Sequence, residues 1–83
     1  MIEKPKRIED KKLIDRMRQP YCEHCGRTTY TEVHHVKSVG SGGDDVRDNL
    51  ISLCRVCHME AHTGYINKPK LKKIIRERES YAD

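Results

Sequence analysis

Residues 54–62 read Cys54-Arg55-Val56-Cys57-His58-Met59-Glu60-Ala61-His62, and a second pair, Cys22-Glu23-His24-Cys25, stands before them with 28 residues between Cys25 and Cys54. Four thiolates in two CxxC pairs suit a closed tetrahedral zinc site, so Cys22, Cys25, Cys54 and Cys57 are the expected ligands of a structural Zn2+. The spacing between the pairs is longer than a simple zinc ribbon needs, so a sizeable unit is inserted between two knuckles. That insert carries His34-His35, a Gly-rich stretch and Asn49. Histidines remain after the cysteines have closed one site, and structure alone does not require them. A second, His-rich site inside a zinc-stapled domain points to metal-assisted catalysis. A mixed site of Cys22, Cys25, His58 and His62 is chemically feasible but would strand Cys54 and Cys57.

The rest of the chain agrees with that frame. At 83 residues it is short enough that an apolar core alone gives marginal stability, and a metal clamp would close what burial cannot. Phe and Trp are absent and charged residues make up 36%. No apolar run exceeds two residues, which excludes a membrane span and a signal-peptide core. Without an export signal the cysteines read as metal ligands in a reducing compartment, so a cytoplasmic location is expected. Residues 1–20 and 65–83 each carry a charge of +3 around a −2 centre at 21–64. Basic arms suit a polyanion and an acidic centre suits divalent cations.

Local signals lay out a single domain over 1–83: a basic N-terminal helix in 1–20, a zinc-bearing core in 21–64 and a basic C-terminal helix in 65–83. Leu13, Ile14 and Met17 share one side of a helix over 8–18, stopped by Pro20. Residues 22–26 form a knuckle in which Gly26 takes the backbone conformation other residues avoid. His24 within it is expected to face solvent. Residues 31–36, rich in β-branched side chains, read as a strand, and 50–53 as a second. Residues 37–48 form a polar loop, and 54–63 a helix stopped by Gly64. A start signal at 67–69 opens a terminal helix striped by Leu71, Ile74 and Ile75. Tyr21, Tyr30 and Tyr65 are expected to cover the small core.

Taken as an ordered set, Val33-His34-His35-Val36, Asp48-Asn49-Leu50 and Leu53-Cys54-Arg55-Val56-Cys57-His58, with His62 a turn later, resemble the HNH endonuclease family. The match spans 21–62, and Lys37-Ser38 stands where many members carry a Pro. The resemblance implies an α+β ββα-metal (His-Me finger) fold. It also implies a metal-dependent endonuclease that hydrolyses DNA phosphodiester bonds to 5′-phosphate and 3′-hydroxyl ends. His58 and His62, four apart on a helix, project from one face and can share a cation with His34, leaving positions for water and phosphate. One catalytic divalent metal is expected there: Mn2+, Ni2+, Co2+, Zn2+ or Mg2+. The catalytic set is His35, Asn49 and His58. In it, His35 is the general base and Asn49 pins the loop through side-chain-to-backbone hydrogen bonds. Strand alternation would send His34 and His35 to opposite faces, so they can serve one phosphate only from two sides or at a distorted strand end. DNA is the expected partner, with no membrane role. A homodimer, or a DNA-packaging or other DNA-processing protein, is an open further partner. A catalytically weak zinc-stabilised DNA-binding adaptor and an RNA-directed nuclease are the alternatives.

Overall fold

A computed structural model describes residues 7–81, so the outermost parts of both basic arms lie outside the described residues. The regular elements are α1 (Lys11–Met17), β1 (Thr31–His35), β2 (Leu50–Cys54), α2 (Arg55–Thr63) and α3 (Lys68–Ser80). Two single 3-10 turns, Val39–Ser41 and Arg47–Asn49, break the connection between the strands. This is the expected small α+β arrangement. Among the described residues no helix is long and apolar enough to cross a membrane.

β1 and β2 pair antiparallel, with Thr31 opposite Cys54, His34 opposite Ile51 and His35 opposite Leu50. Every residue of β2 is buried, and α1, α2 and α3 all pack against it. Its polar Ser52 is satisfied at every group. The Ser52 amide donates to Glu23 Oε2 at 2.6 Å, its carbonyl accepts from Glu23 N at 2.8 Å, and its hydroxyl donates to Thr31 Oγ1 at 2.7 Å. Glu23 in turn pairs with Arg78 Nη1 at 3.1 Å, tying α3 to the first knuckle.

The core joins six aliphatic side chains (Val36, Ile51, Leu53, Ile66, Leu71 and Ile75) to Cys22, Cys54 and Cys57. An apolar cluster of this size gives only marginal stability by itself, so a metal held by the cysteines would add what burial lacks. Leu71 and Ile75 make α3 a working part of this core, although the family resemblance ends before it.

Helix ends follow their caps. Asp10 Oδ1 accepts from Leu13 N at 3.0 Å and opens α1. Cys54 Sγ accepts from Cys57 N at the start of α2, and Gly64 at φ +86° ends it. Asn67 Oδ1 accepts from Lys70 N at 2.9 Å, with Pro69 in the first turn of α3. Gly43 is needed for space: a Cβ there would sit 1.8 Å from the Lys37 carbonyl oxygen.

Two expectations are corrected. α1 starts at Lys11 rather than residue 8, because Asp10 caps it and residues 7–10 are drawn into contacts with 43–45. Tyr21, Tyr30 and Tyr65 do not cover the core: they are 43%, 67% and 82% exposed. Leu, Ile and Cys already fill the interior, and Tyr30 instead lies under the Arg18 guanidinium, 5.4 Å from its ring centroid.

Candidate metal centres and active site

The two knuckles meet because β1 and β2 pair over their full length, which returns Cys54 to the neighbourhood of Cys22. The sulfur atoms of Cys22, Cys25, Cys54 and Cys57 all lie within 4.8 Å of one another. Cys22, Cys54 and Cys57 are buried and Cys25 is exposed. In each pair the last amide points at the first sulfur: Cys25 N lies 3.4 Å from Cys22 Sγ and Cys57 N 3.5 Å from Cys54 Sγ. Gly26, at φ +78°, turns the first knuckle.

Burial pushes the Cys22 thiol up, but amide hydrogen bonds from Cys25, Cys54 and His24 outweigh it and bring it down to about 7. Cys57 is pushed above the ordinary thiol range by burial and by its sulfur neighbours. Four thiolates fit a structural zinc ion in number and softness. His24 departs from the expected solvent-facing position, since its Nδ1 lies 3.4 Å from Cys57 Sγ.

A second cluster forms where α2 folds back across β1. His34 comes from the strand, and His58 and His62 from successive turns of the helix. One nitrogen of each lies within 4.8 Å of the other two. Ring centroids are 5.1 Å apart for His34–His58 and His34–His62, and 4.6 Å for His58–His62. The two helix imidazoles face each other through Nε2 at 3.1 Å. Burial, then the neighbouring imidazoles and Lys68, push His34 down to about 4, so its ring is neutral with a lone pair to offer near pH 7. Three converging imidazole nitrogens are a fitting donor set for a first-row divalent ion. Glu32 Oε1 stands 3.6 Å from His58 Nδ1, on the side away from the cluster contact.

His35 closes β1, and this end position resolves the alternation problem. His34 and His35 both line one cleft of about 190 Å³, shared with Ser38, His62 and Lys68. His35 Nε2 lies 2.7 Å from Asp45 Oδ1. Burial would raise the Asp45 carboxyl, but hydrogen bonds from His35, the Asp10 amide and Arg7 outweigh it and hold it at about 2.

Asn49 does not reach the cleft. It is buried beneath the loop, where Oδ1 accepts from Lys37 N at 2.7 Å. Its Nδ2 donates to Lys37 O at 3.1 Å and to Asp44 O at 3.0 Å. The residues that sequence reasoning passed over are Asp45, Glu32 and Lys68. Only Asp45 left a signal, as half of an acidic pair closing the Gly-rich stretch, and nothing local said that it would turn inward to His35.

Comparison with known proteins gives the same grouping. An alignment 71 positions long, which covers 63% of this chain, is 44% identical to the Type IV methyl-directed restriction enzyme EcoKMcrA of Escherichia coli K12. A second alignment, 62 positions long and covering 60% of the chain, is 29% identical to a protein of Saccharomyces cerevisiae described as a putative COX1/OXI3 intron 2 protein. The matched parts are 26% and 7% of those longer proteins, so the chain spans a minor part of each. Residues 22–64, from the first knuckle to the glycine that ends α2, match the HNH endonuclease family, and that stretch is more than half of the chain. The chain belongs to the HNH endonuclease family.

Proposed function

We propose that this chain is a metal-dependent endonuclease that hydrolyses DNA phosphodiester bonds, leaving 5′-phosphate and 3′-hydroxyl ends. One observation carries the reading: His34, His58 and His62 converge, and two of them, His34 and His62, share an open cleft with a fourth imidazole, His35. His34, His58 and His62 would hold the divalent ion, and Cys22, Cys25, Cys54 and Cys57 a structural zinc. When bound, the divalent ion supplies Lewis acidity to a phosphate oxygen and to the departing 3′-oxygen.

The protein's own groups do the rest. His35 takes the proton of the attacking water, a role that requires its ring to be neutral and within reach of the cleft. Lys68, at the first position of α3 and on the cleft wall, offers a positive charge to the phosphate. Asn49 keeps the loop from 37 to 44 against the end of β1 without touching substrate. Basic residues of the two flanks, 1–20 and 65–83, grip neighbouring phosphates and position the duplex without reading bases. The flanks and the core at 21–64 then act as one nuclease domain. The similarity to a restriction enzyme favours DNA over RNA as substrate.

The test is cleavage of supercoiled plasmid by chelator-treated protein that has kept its Cys-bound zinc, with and without added Mn2+, alongside an RNA of similar length. Metal-dependent conversion of the plasmid supports the reading. Plasmid retention without cleavage would make the chain a DNA-binding adaptor, and cleavage of RNA alone would reassign its substrate.

A further inference from the structure

His35 does not stand free in the cleft wall. One edge of its ring is held by Asp45 at 2.7 Å, and Asp45 is only 2% exposed. That carboxylate has no freedom to turn. Its Oδ1 also accepts from Arg7 Nη1 at 3.0 Å, its Oδ2 accepts from Asp10 N at 2.8 Å, and its own amide donates to Ile8 O at 2.8 Å. Ile8 N completes the seam by donating to Asp44 Oδ1 at 2.7 Å. Residues 7–10 therefore lie along 43–45 as a strap, and they lie outside the part of the chain that matches the family.

We propose that Asp45, locked by the strap, is the positioning residue of His35: it fixes the ring's tautomer and aim, leaving Nδ1 as the nitrogen that receives the proton of water. The argument rests on the reading of His35 as the base. An ionised carboxylate only accepts hydrogen bonds, so the proton in the 2.7 Å contact sits on His35 Nε2. A neutral ring protonated at Nε2 has its lone pair on Nδ1. Without Asp45 the two tautomers interconvert freely, and the ring can turn about its own side-chain bonds. No group of α2 or β2 holds the far edge of this imidazole; Asp45 of the loop does, and the strap keeps Asp45 in place. Residues before the first knuckle thereby become part of the reactive centre, where they would otherwise read as a basic flank.

The experiment reads the tautomer directly. Zinc-loaded, 15N-labelled protein without the second metal is examined by long-range 1H–15N spectroscopy at mildly alkaline pH, with the His35 signals assigned by their loss in His35→Gln. The expected spectrum shows a protonated Nε2 and an unprotonated Nδ1. Asp45→Asn should mix or reverse that pattern and lower kcat by about a hundredfold or more, the scale on which a wrong tautomer acts, with little change in KM for plasmid. Arg7→Ala, which loosens the strap and leaves the carboxylate, should lower kcat by roughly tenfold and broaden the same signals. A parental His35 protonated at Nδ1 overturns the proposal even if Asp45→Asn fails to fold. So does Asp45→Asn that keeps both the parental tautomer and the parental kcat. Full turnover in His35→Gln would instead remove the base itself, whereas loss in His35→Gln with none in Asp45→Asn would overturn the positioning role alone.

Discussion

Replacing Asn49 by Ala should cost stability far more than its small volume suggests. The side chain satisfies three backbone groups: the Lys37 amide, the Lys37 carbonyl and the Asp44 carbonyl. Leaving a buried partner unpaired costs about 1–3 kcal/mol, and these groups lie close enough to the surface for water to reach some of them. Taking the lower figure for each gives a loss of about 3 kcal/mol. In a domain of this size that lowers Tm by roughly 15 °C. Urea and thermal unfolding of the zinc-loaded protein measure it, with the midpoint falling at unchanged slope if the loop alone is affected. Asn49→Asp sharpens the test. It keeps the acceptor for Lys37 N but points carboxylate oxygen at two carbonyls, so it should destabilise at least as much as Ala. Because His34, His58 and His62 lie on β1 and α2, both folded variants should still take up Mn2+. A stability within about 1 kcal/mol of the parent for either variant would refute the pinning role.

Cys22→Ser or Cys57→Ser should lose one tightly held zinc and unfold or aggregate, since structural zinc supplies on the order of 10 kcal/mol of folding free energy. Zinc content and thermal melts check this, and a cooperative melt near that of the parent would contradict it. His34 yields a pH prediction for protein that holds its Cys-bound zinc but no second metal. Its folded value is about 4 against an ordinary 6.5, so between those pH values the unfolded chain binds a proton that the native ring refuses. The penalty is absent above pH 6.5, grows as pH falls and is complete below pH 4, at about 3 kcal/mol. His34→Gln should flatten the stability profile across that window, and an unchanged slope would show that the ring titrates normally. In a cleavage panel, Mn2+, Ni2+ or Co2+ should support the fastest turnover and Mg2+ a weaker one. Ca2+ should support little, because imidazole donors suit first-row transition ions and calcium prefers oxygen. Calcium matching manganese would show the imidazole cluster to be misassigned.

The elements whose signals are local were legible from the chain alone. Cysteine spacing marked both knuckles, the four-residue interval put His58 and His62 on one face, and Asn67 and Gly64 marked helix ends that the structure keeps to within a residue. What was hidden depends on contacts distant in sequence. α1 begins late because residues 7–10 are drawn to 43–45, a pairing across 35 to 38 residues that leaves no periodic trace. Asp45 read as one acid among several in a polar loop, yet the fold buries it against His35. Strand alternation by itself separated His34 from His35, and only the placement of His35 at the end of β1 brings both to one cleft. The tyrosines misled in the opposite direction. Aromatic area usually goes inside, but a core already filled from β2, α2 and α3 left them on the surface.

The most direct test of the account is the turnover of His35→Ala on supercoiled plasmid, using chelator-treated protein that retains its Cys-bound zinc and is then given Mn2+. The account predicts parental affinity for Mn2+ and for DNA with turnover reduced by roughly a hundredfold or more, the scale of losing a general base. A His35→Ala protein that converts plasmid at close to the parental rate would contradict it.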